Sequence, residues 1–154
     1  MEQASYPDNF KFHPWAITNH DATIRFYPRI RRDGSLSTVQ YTTNPEEGSQ
    51  EHAVEVPAFT TESAMSKLGH ESIDLMKMNI EGAEYEVLDN LLDSRVFPKQ
   101  IIVEFHHRFP TIGLDKTRQI LARLRGSGYK LIAVSNSGRV LSLLRPTDAG
   151  SRQL

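Results

Sequence analysis

The segment spanning residues 74–88 constrains the fold of this chain more than any other. A nearly continuous apolar run, LMKMNI over 75–80, leads into the acidic turn EGAE over 81–84. Apolar residues at helical spacing follow, which indicates a buried strand that passes straight into a helix. Such units build parallel α/β sheets, and these sheets bind ligands at the carboxyl ends of their strands. The sequence therefore predicts an α/β fold with a site at Glu81 and Glu84.

Strand-like and helix-like patterns alternate through the rest of the chain. The predicted helices cover 61–68, 83–92 and 114–125, and the predicted strands cover 10–17, 23–27, 53–59, 73–80, 101–105, 129–134 and 140–144. The run 101–105 is typical of a strand buried on both faces. A tight-turn signal at 136–138 makes the last two strands antiparallel. Residues 28–52 have little periodicity and are predicted as a long loop. We expect one mostly parallel sheet in a domain over 10–145, with a flexible lead-in at 1–9 and a polar tail at 146–154.

Length and composition exclude several classes of protein. With 154 residues the chain is long enough for one domain with a core. The formal net charge of -1 gives no bulk attraction to nucleic acid or to an anionic membrane, so neither is an expected partner. The chain has no cysteine, which excludes disulfides, thiolate metal sites and a cysteine nucleophile. No apolar run could span a bilayer and residues 1–10 do not form a signal peptide, so a cytoplasmic location is expected.

Several segments together resemble the FkbM-type methyltransferases, which depend on S-adenosylmethionine. The most specific is KMNIEGAE at 77–84, which is similar to the family's pattern Lys-x-Asp-x-Glu-Gly-x-Glu at the end of a strand. The strand IIVEFH at 101–106 and the Gly-Tyr pair at 128–129 match later strands of that family. The segments HPWAI at 13–17 and ATIRFY at 22–27 resemble its third strand and hairpin. The resemblance covers residues 10–145.

The resemblance implies a three-layer, Rossmann-like α/β fold and methyl transfer to an oxygen of a small-molecule or sugar-type acceptor. Two departures from the family pattern are visible. Asn79 stands where the family usually has Asp, which keeps the shape but removes the charge. Residues 1–52 hold no strand followed by a glycine-rich turn, since Gly34 and Gly48 are isolated. We therefore expect the amino-terminal strands of the family fold to be missing.

Candidate site residues cluster where strands are predicted to end. Glu81 and His106 are the candidate catalytic residues, because a histidine at a strand end can take a proton from an acceptor hydroxyl. Glu84, Glu104 and His107 are expected to contact substrate, although Glu84 can equally satisfy the first turn of its helix. The resemblance assigns the S-adenosylmethionine site to Asn79 and to Trp15, Ala16 and Ile17. Trp15 can equally be a core residue.

Two alternatives stay open from the sequence. A non-catalytic fragment would bind a partner, or a second copy of itself, through an exposed sheet edge. A metal-dependent site would use Glu81, Glu104, His106 and His107, although these residues lack a compact ligand-spacing motif. Lys77, in the middle of a predicted strand, is expected to pair with Glu104 on the neighbouring strand.

Overall fold

A computed structural model describes residues 7–109 and 112–146. It divides into two units, one holding 7–16 and 23–57 and the other holding 17–22 and 58–146 of the described residues. In chain order the elements are β1 (Ala16–Ile17), β2 (Ala22–Ile30), β3 (Leu36–Thr42), β4 (Val54–Phe59), α1 (Thr61–Leu68), β5 (Leu75–Met78), α2 (Glu84–Asp93), β6 (Gln100–Glu104), α3 (Gly113–Gly126), β7 (Lys130–Val134) and β8 (Val140–Leu144). Residues 1–6 of the predicted lead-in and 147–154 of the predicted tail lie outside the described ranges.

The first sheet has the strand order β1-β4-β2-β3, and it corrects the long loop predicted for 28–52. β2 runs on to Ile30 and pairs antiparallel with β3, so this segment contains a hairpin. The turn is the Asp33-Gly34 dipeptide: Gly34 has φ 80°, and the Asp33 carboxylate accepts the Ser35 backbone N–H at 3.0 Å. Asp-Gly is a strong hairpin signal, but the polar residues around it obscured the strand pattern. The strand predicted over 10–17 is reduced to β1.

The predicted helix α1 is confirmed at both ends. The Thr60 hydroxyl accepts the Ser63 backbone N–H at 3.1 Å, as a helix N-cap does. At the other end Gly69 adopts φ 67° and closes the helix in the left-handed conformation. The Thr60 backbone N–H donates to the Asp21 carboxylate at 2.9 Å, and this bond lowers the pKa of Asp21.

The second sheet is mixed, with strand order β5-β6-β8-β7. β5 pairs parallel with β6, with Met78 opposite Val103, whereas β8 pairs antiparallel with both β6 and β7. The tight turn between β7 and β8 gives the antiparallel pair that the sequence predicts. A mostly parallel sheet is not what the described residues form, because only the β5–β6 crossover through α2 joins parallel neighbours. The α/β class itself is confirmed.

The core of the second unit lies on one face of this sheet. Alternate strand residues join α2 and α3 in one apolar cluster, which contains Met78, Tyr85, Val87, Leu88, Leu92, Ile101, Val103, Phe105, Ile120, Leu124, Tyr129, Leu141 and Leu143. The intervening residues of β6 are only half-buried, so this strand is not buried on both faces as predicted. In β5, Lys77 lies between Met76 and Met78, which face the core, and its own side chain is exposed. Glu104 pairs instead with Arg139, at 3.6 Å, which corrects the expected Lys77 pair.

Two buried tyrosines tie helices and strands together. The Tyr85 hydroxyl of α2 lies 2.8 Å from the Thr117 hydroxyl of α3, and the Tyr129 hydroxyl donates to the Pro98 carbonyl at 2.7 Å. Burial raises the pKa of Tyr85 and raises that of Tyr129 to about 12. The first bond joins α2 to α3, and the second joins the residue before β7 to the segment before β6, at the amino end of that strand.

Candidate active site at the carboxyl ends of β5 and β6

A left-handed turn follows β5 and begins the candidate site. Glu81 has φ 53° and Gly82 has φ 107°. The φ of 107° favours glycine, and a Cβ atom at this position would lie 3.1 Å from Cδ1 of Ile112, which is closer than an ordinary van der Waals contact. Glu81 has no such freedom, and a residue with a side chain in this conformation is strained. Strain of this kind clusters at functional sites, which makes Glu81 the first residue to consider.

The two carboxylates of the turn have opposite environments. The side chain of Glu81 is 52% exposed, whereas that of Glu84 is fully buried at 0%. Oε2 of Glu84 accepts the Gly82 backbone N–H at 2.9 Å, and Oε1 accepts the His106 backbone N–H at 2.8 Å. Glu84 therefore fastens the end of β6 to the first turn of α2. Its burial favours a structural or positioning role over the direct substrate contact expected from the sequence.

His106 lies between these two carboxylates. Its Nδ1 atom is 3.2 Å from Oε1 of Glu84, and its Nε2 atom is 3.9 Å from Oε2 of Glu81. The side chain is 9% exposed, and its ring centroid lies 5.0 Å from that of Phe109. The imidazole is thus held by a buried carboxylate on one side and faces a half-exposed carboxylate on the other. This is an arrangement in which a histidine can accept a proton.

The remaining candidates of this edge differ in what they contact. Asn79 is exposed, and no hydrogen bond to its amide is found among the described residues. Glu104 is half-buried in its ion pair with Arg139. Nδ1 of His107 is buried and has no hydrogen-bond partner within residues 7–109 and 112–146. A buried ring nitrogen without a partner is uncommon and leaves a polar position for a ligand or water to satisfy.

The cofactor segment inferred from the resemblance divides between the two units. Trp15 and Ala16 belong to the first unit, where the Trp15 ring lies 4.6 Å from the ring of His13. Ile17 belongs to the second unit and packs against its core cluster.

Sequence reasoning missed two apolar residues at this edge. The Phe109 ring lies tilted against the His106 ring, and Ile112 lies close to Gly82, although neither belongs to a strand or helix pattern near the motif. The sequence signal for them is their closeness to the end of β6.

The metal alternative finds no support, because in the described part of the chain no three His, Asp or Glu groups are placed to hold an ion.

Together these features define an α/β protein with an acid–histidine cluster at the carboxyl ends of a parallel strand pair. The chain matches the family model for the methyltransferase FkbM domain over residues 6–131. It therefore belongs to the FkbM methyltransferase domain family, which confirms the resemblance inferred from the motifs. No curated protein and no solved structure matches it. Within the described ranges, no helix is long and apolar enough to cross a membrane.

Proposed function

We propose that this chain transfers a methyl group from S-adenosylmethionine to an oxygen atom of a small-molecule or sugar-type acceptor. The observation that carries the proposal is the family match over 6–131, because this span includes the turn at Glu81 and Gly82 and both histidines that follow β6. Catalysis of such a transfer depends mainly on holding acceptor and methyl donor in line. We also propose that β5, β6, α2 and α3 are part of the three-layer, Rossmann-like fold that the family resemblance implies.

The side chains at this edge fit part of the cofactor. S-adenosylmethionine carries ribose hydroxyls, for which the exposed Asn79 amide is a suitable partner. Trp15, Ala16 and Ile17 are proposed to flank its adenine ring, as the family resemblance implies. Among the described residues no glycine-rich turn joins a strand to a helix, so no backbone cradle for the amino-acid end is found there. When bound, S-adenosylmethionine would supply the methyl group from a cationic sulfur, with the neutral thioether as the second product.

The chain's own residues then act on the acceptor. Nε2 of His106 takes the proton of the acceptor hydroxyl, since this nitrogen faces the half-exposed Glu81 side of the site. The Glu81 carboxylate orients the same hydroxyl and stabilises the imidazolium that forms. Glu104 and His107 are proposed to bind other polar groups of the acceptor, since both lie at the carboxyl end of β6.

Calorimetric titration with S-adenosylhomocysteine tests the proposal. We expect saturable binding, and we expect Asn79→Ala to weaken it about tenfold, which corresponds to the loss of one hydrogen bond. Gln119→Ala is the matched control, because it removes an exposed amide from α3, away from the turn. A folded chain that binds no S-adenosylhomocysteine contradicts the proposal and leaves the non-catalytic alternative. Equal affinities of wild type and Asn79→Ala contradict the assignment of Asn79 alone.

A further inference from the structure

Glu84 makes one more contact than it needs to join two segments of the backbone. One hydrogen bond from each segment, the Gly82 and His106 backbone N–H groups, already joins the end of β6 to the first turn of α2. Oε1 also lies within hydrogen-bond distance of the His106 ring at Nδ1, 3.2 Å away. The carboxylate is fully buried, so it is shielded from the solvent that weakens exposed ion pairs. It is also held rigidly by its two backbone donors.

We infer that Glu84 is a positioning residue that fixes the tautomer of His106. Both oxygens of the Glu84 side chain act as acceptors, one from the Gly82 N–H and one from the His106 N–H, so we expect the ring nitrogen that faces it, Nδ1, to carry the proton. The other nitrogen, Nε2, then has a free lone pair directed toward Glu81, 3.9 Å away. The catalytic part of this inference rests on the proposed function, since that function gives Nε2 its proton to accept. The tautomer itself does not depend on methyl transfer.

The burial of Glu84 separates its role from that of Glu81. The charged groups within 4 Å of the His106 ring nitrogens in the described ranges are Glu84 from α2 and Glu81 from the preceding turn. Glu81 is half-exposed and beyond hydrogen-bond distance of the ring, so it does not select the tautomer. Glu84 does not reach solvent and so does not contact the acceptor. The Phe109 ring against the imidazole limits its rotation, which keeps the fixed nitrogen aimed at one position.

Nitrogen NMR of the chain labelled at its histidines tests the tautomer directly. A His106→Gln variant identifies the His106 signals by their disappearance. In the wild type, at a pH where the ring is neutral, we expect Nδ1 to carry the proton and Nε2 to be the bare nitrogen. The opposite tautomer, or an even mixture of the two, overturns the inference without any variant of Glu84.

Substitution of Glu84 provides a second test of the inference. Glu84→Gln keeps the shape but weakens the acceptor that faces Nδ1, so we expect a measurable population of the Nε2–H tautomer. Glu86→Gln, two residues further along α2 and exposed, is the matched control and should leave the His106 spectrum unchanged. Circular dichroism confirms that each variant is folded. A folded Glu84→Gln chain with the wild-type tautomer contradicts the inference.

Kinetics separate this inference from the proposed function. Once a methyl acceptor is found, Glu84→Gln should lower kcat about tenfold or more with little change in KM, since general-base catalysis contributes about 10²- to 10⁴-fold. If the chain binds no S-adenosylhomocysteine but shows the Nδ1–H tautomer, the proposed function fails and the positioning by Glu84 stands. If it methylates an acceptor while Glu84→Gln retains full kcat, the function stands and the positioning role in catalysis is refuted.

Discussion

Replacing Glu81 by glycine should make this protein more stable. Glu81 and Arg95 are the non-glycine residues with positive φ in the described ranges, at 53° and 56°. A side chain in the left-handed conformation costs about 1–2 kcal/mol, whereas glycine adds about 0.5–1 kcal/mol of conformational entropy to the unfolded chain. The contact between Glu81 and His106 at 3.9 Å adds little, because the Glu81 side chain is 52% exposed. The net expectation is a gain of up to about 1.5 kcal/mol in the free energy of unfolding.

Urea unfolding followed by circular dichroism measures this difference, provided that the slope with urea is the same for all variants. Arg95→Gly is the matched control, because it relieves the same conformation just after α2, away from the histidine, and should stabilise by a similar amount. Glu81→Gln keeps the Cβ atom and removes the charge, so it should leave stability nearly unchanged. If Arg95→Gly stabilises the protein but Glu81→Gly destabilises it, the left-handed conformation of Glu81 does not cost stability and the argument is refuted. If both variants stabilise while Glu81→Gly loses acceptor turnover, the strain at this position is retained for function.

Three further outcomes follow from packing and burial. Gly82→Ala should lower the free energy of unfolding by about 1–3 kcal/mol, because φ 107° is unfavourable for alanine and the new Cβ would lie 3.1 Å from Ile112; a neutral result in urea unfolding would show that the turn relaxes. Leu88→Ala should cost about 2–5 kcal/mol, since Leu88 is 0% exposed in the core, whereas Leu114→Ala at a 48% exposed position should cost far less; equal losses would contradict the assignment of the core. Tyr129 is 2% exposed and its pKa is raised from 10.0 to about 12, so the neutral phenol stabilises the fold fully below pH 10. About 2 kcal/mol should be lost as the pH rises from 10 to 12, and Tyr129→Phe should remove that part of the alkaline decline in chemical denaturation.

The sequence predicts helix boundaries well, and it predicts strand pairing and side-chain partners less well. The caps at Thr60 and Gly69 define α1 because capping depends on residues next to one another in the chain. The hairpin of β2 and β3 was missed, although Asp33-Gly34 marks its turn, because the polar strand β3 has no clear alternation. The partner of Glu104 was also missed, since Arg139 approaches only through the antiparallel register of β6 and β8. Register of that kind depends on contacts distant in sequence.

The acidic pair of the motif shows most clearly where sequence reasoning ends. Glu81 and Glu84 are three residues apart, a spacing that places two side chains on the same side of a regular helix. The structure separates them, because Glu81 precedes α2 in a left-handed turn while Glu84 begins the helix. One carboxylate is therefore half-exposed and the other is buried against His106. The spacing alone does not distinguish the environments of the two carboxylates, whereas the backbone conformation at Glu81 and Gly82 does. The difference between a half-exposed carboxylate beside the histidine and a buried carboxylate that holds it thus depends on this turn.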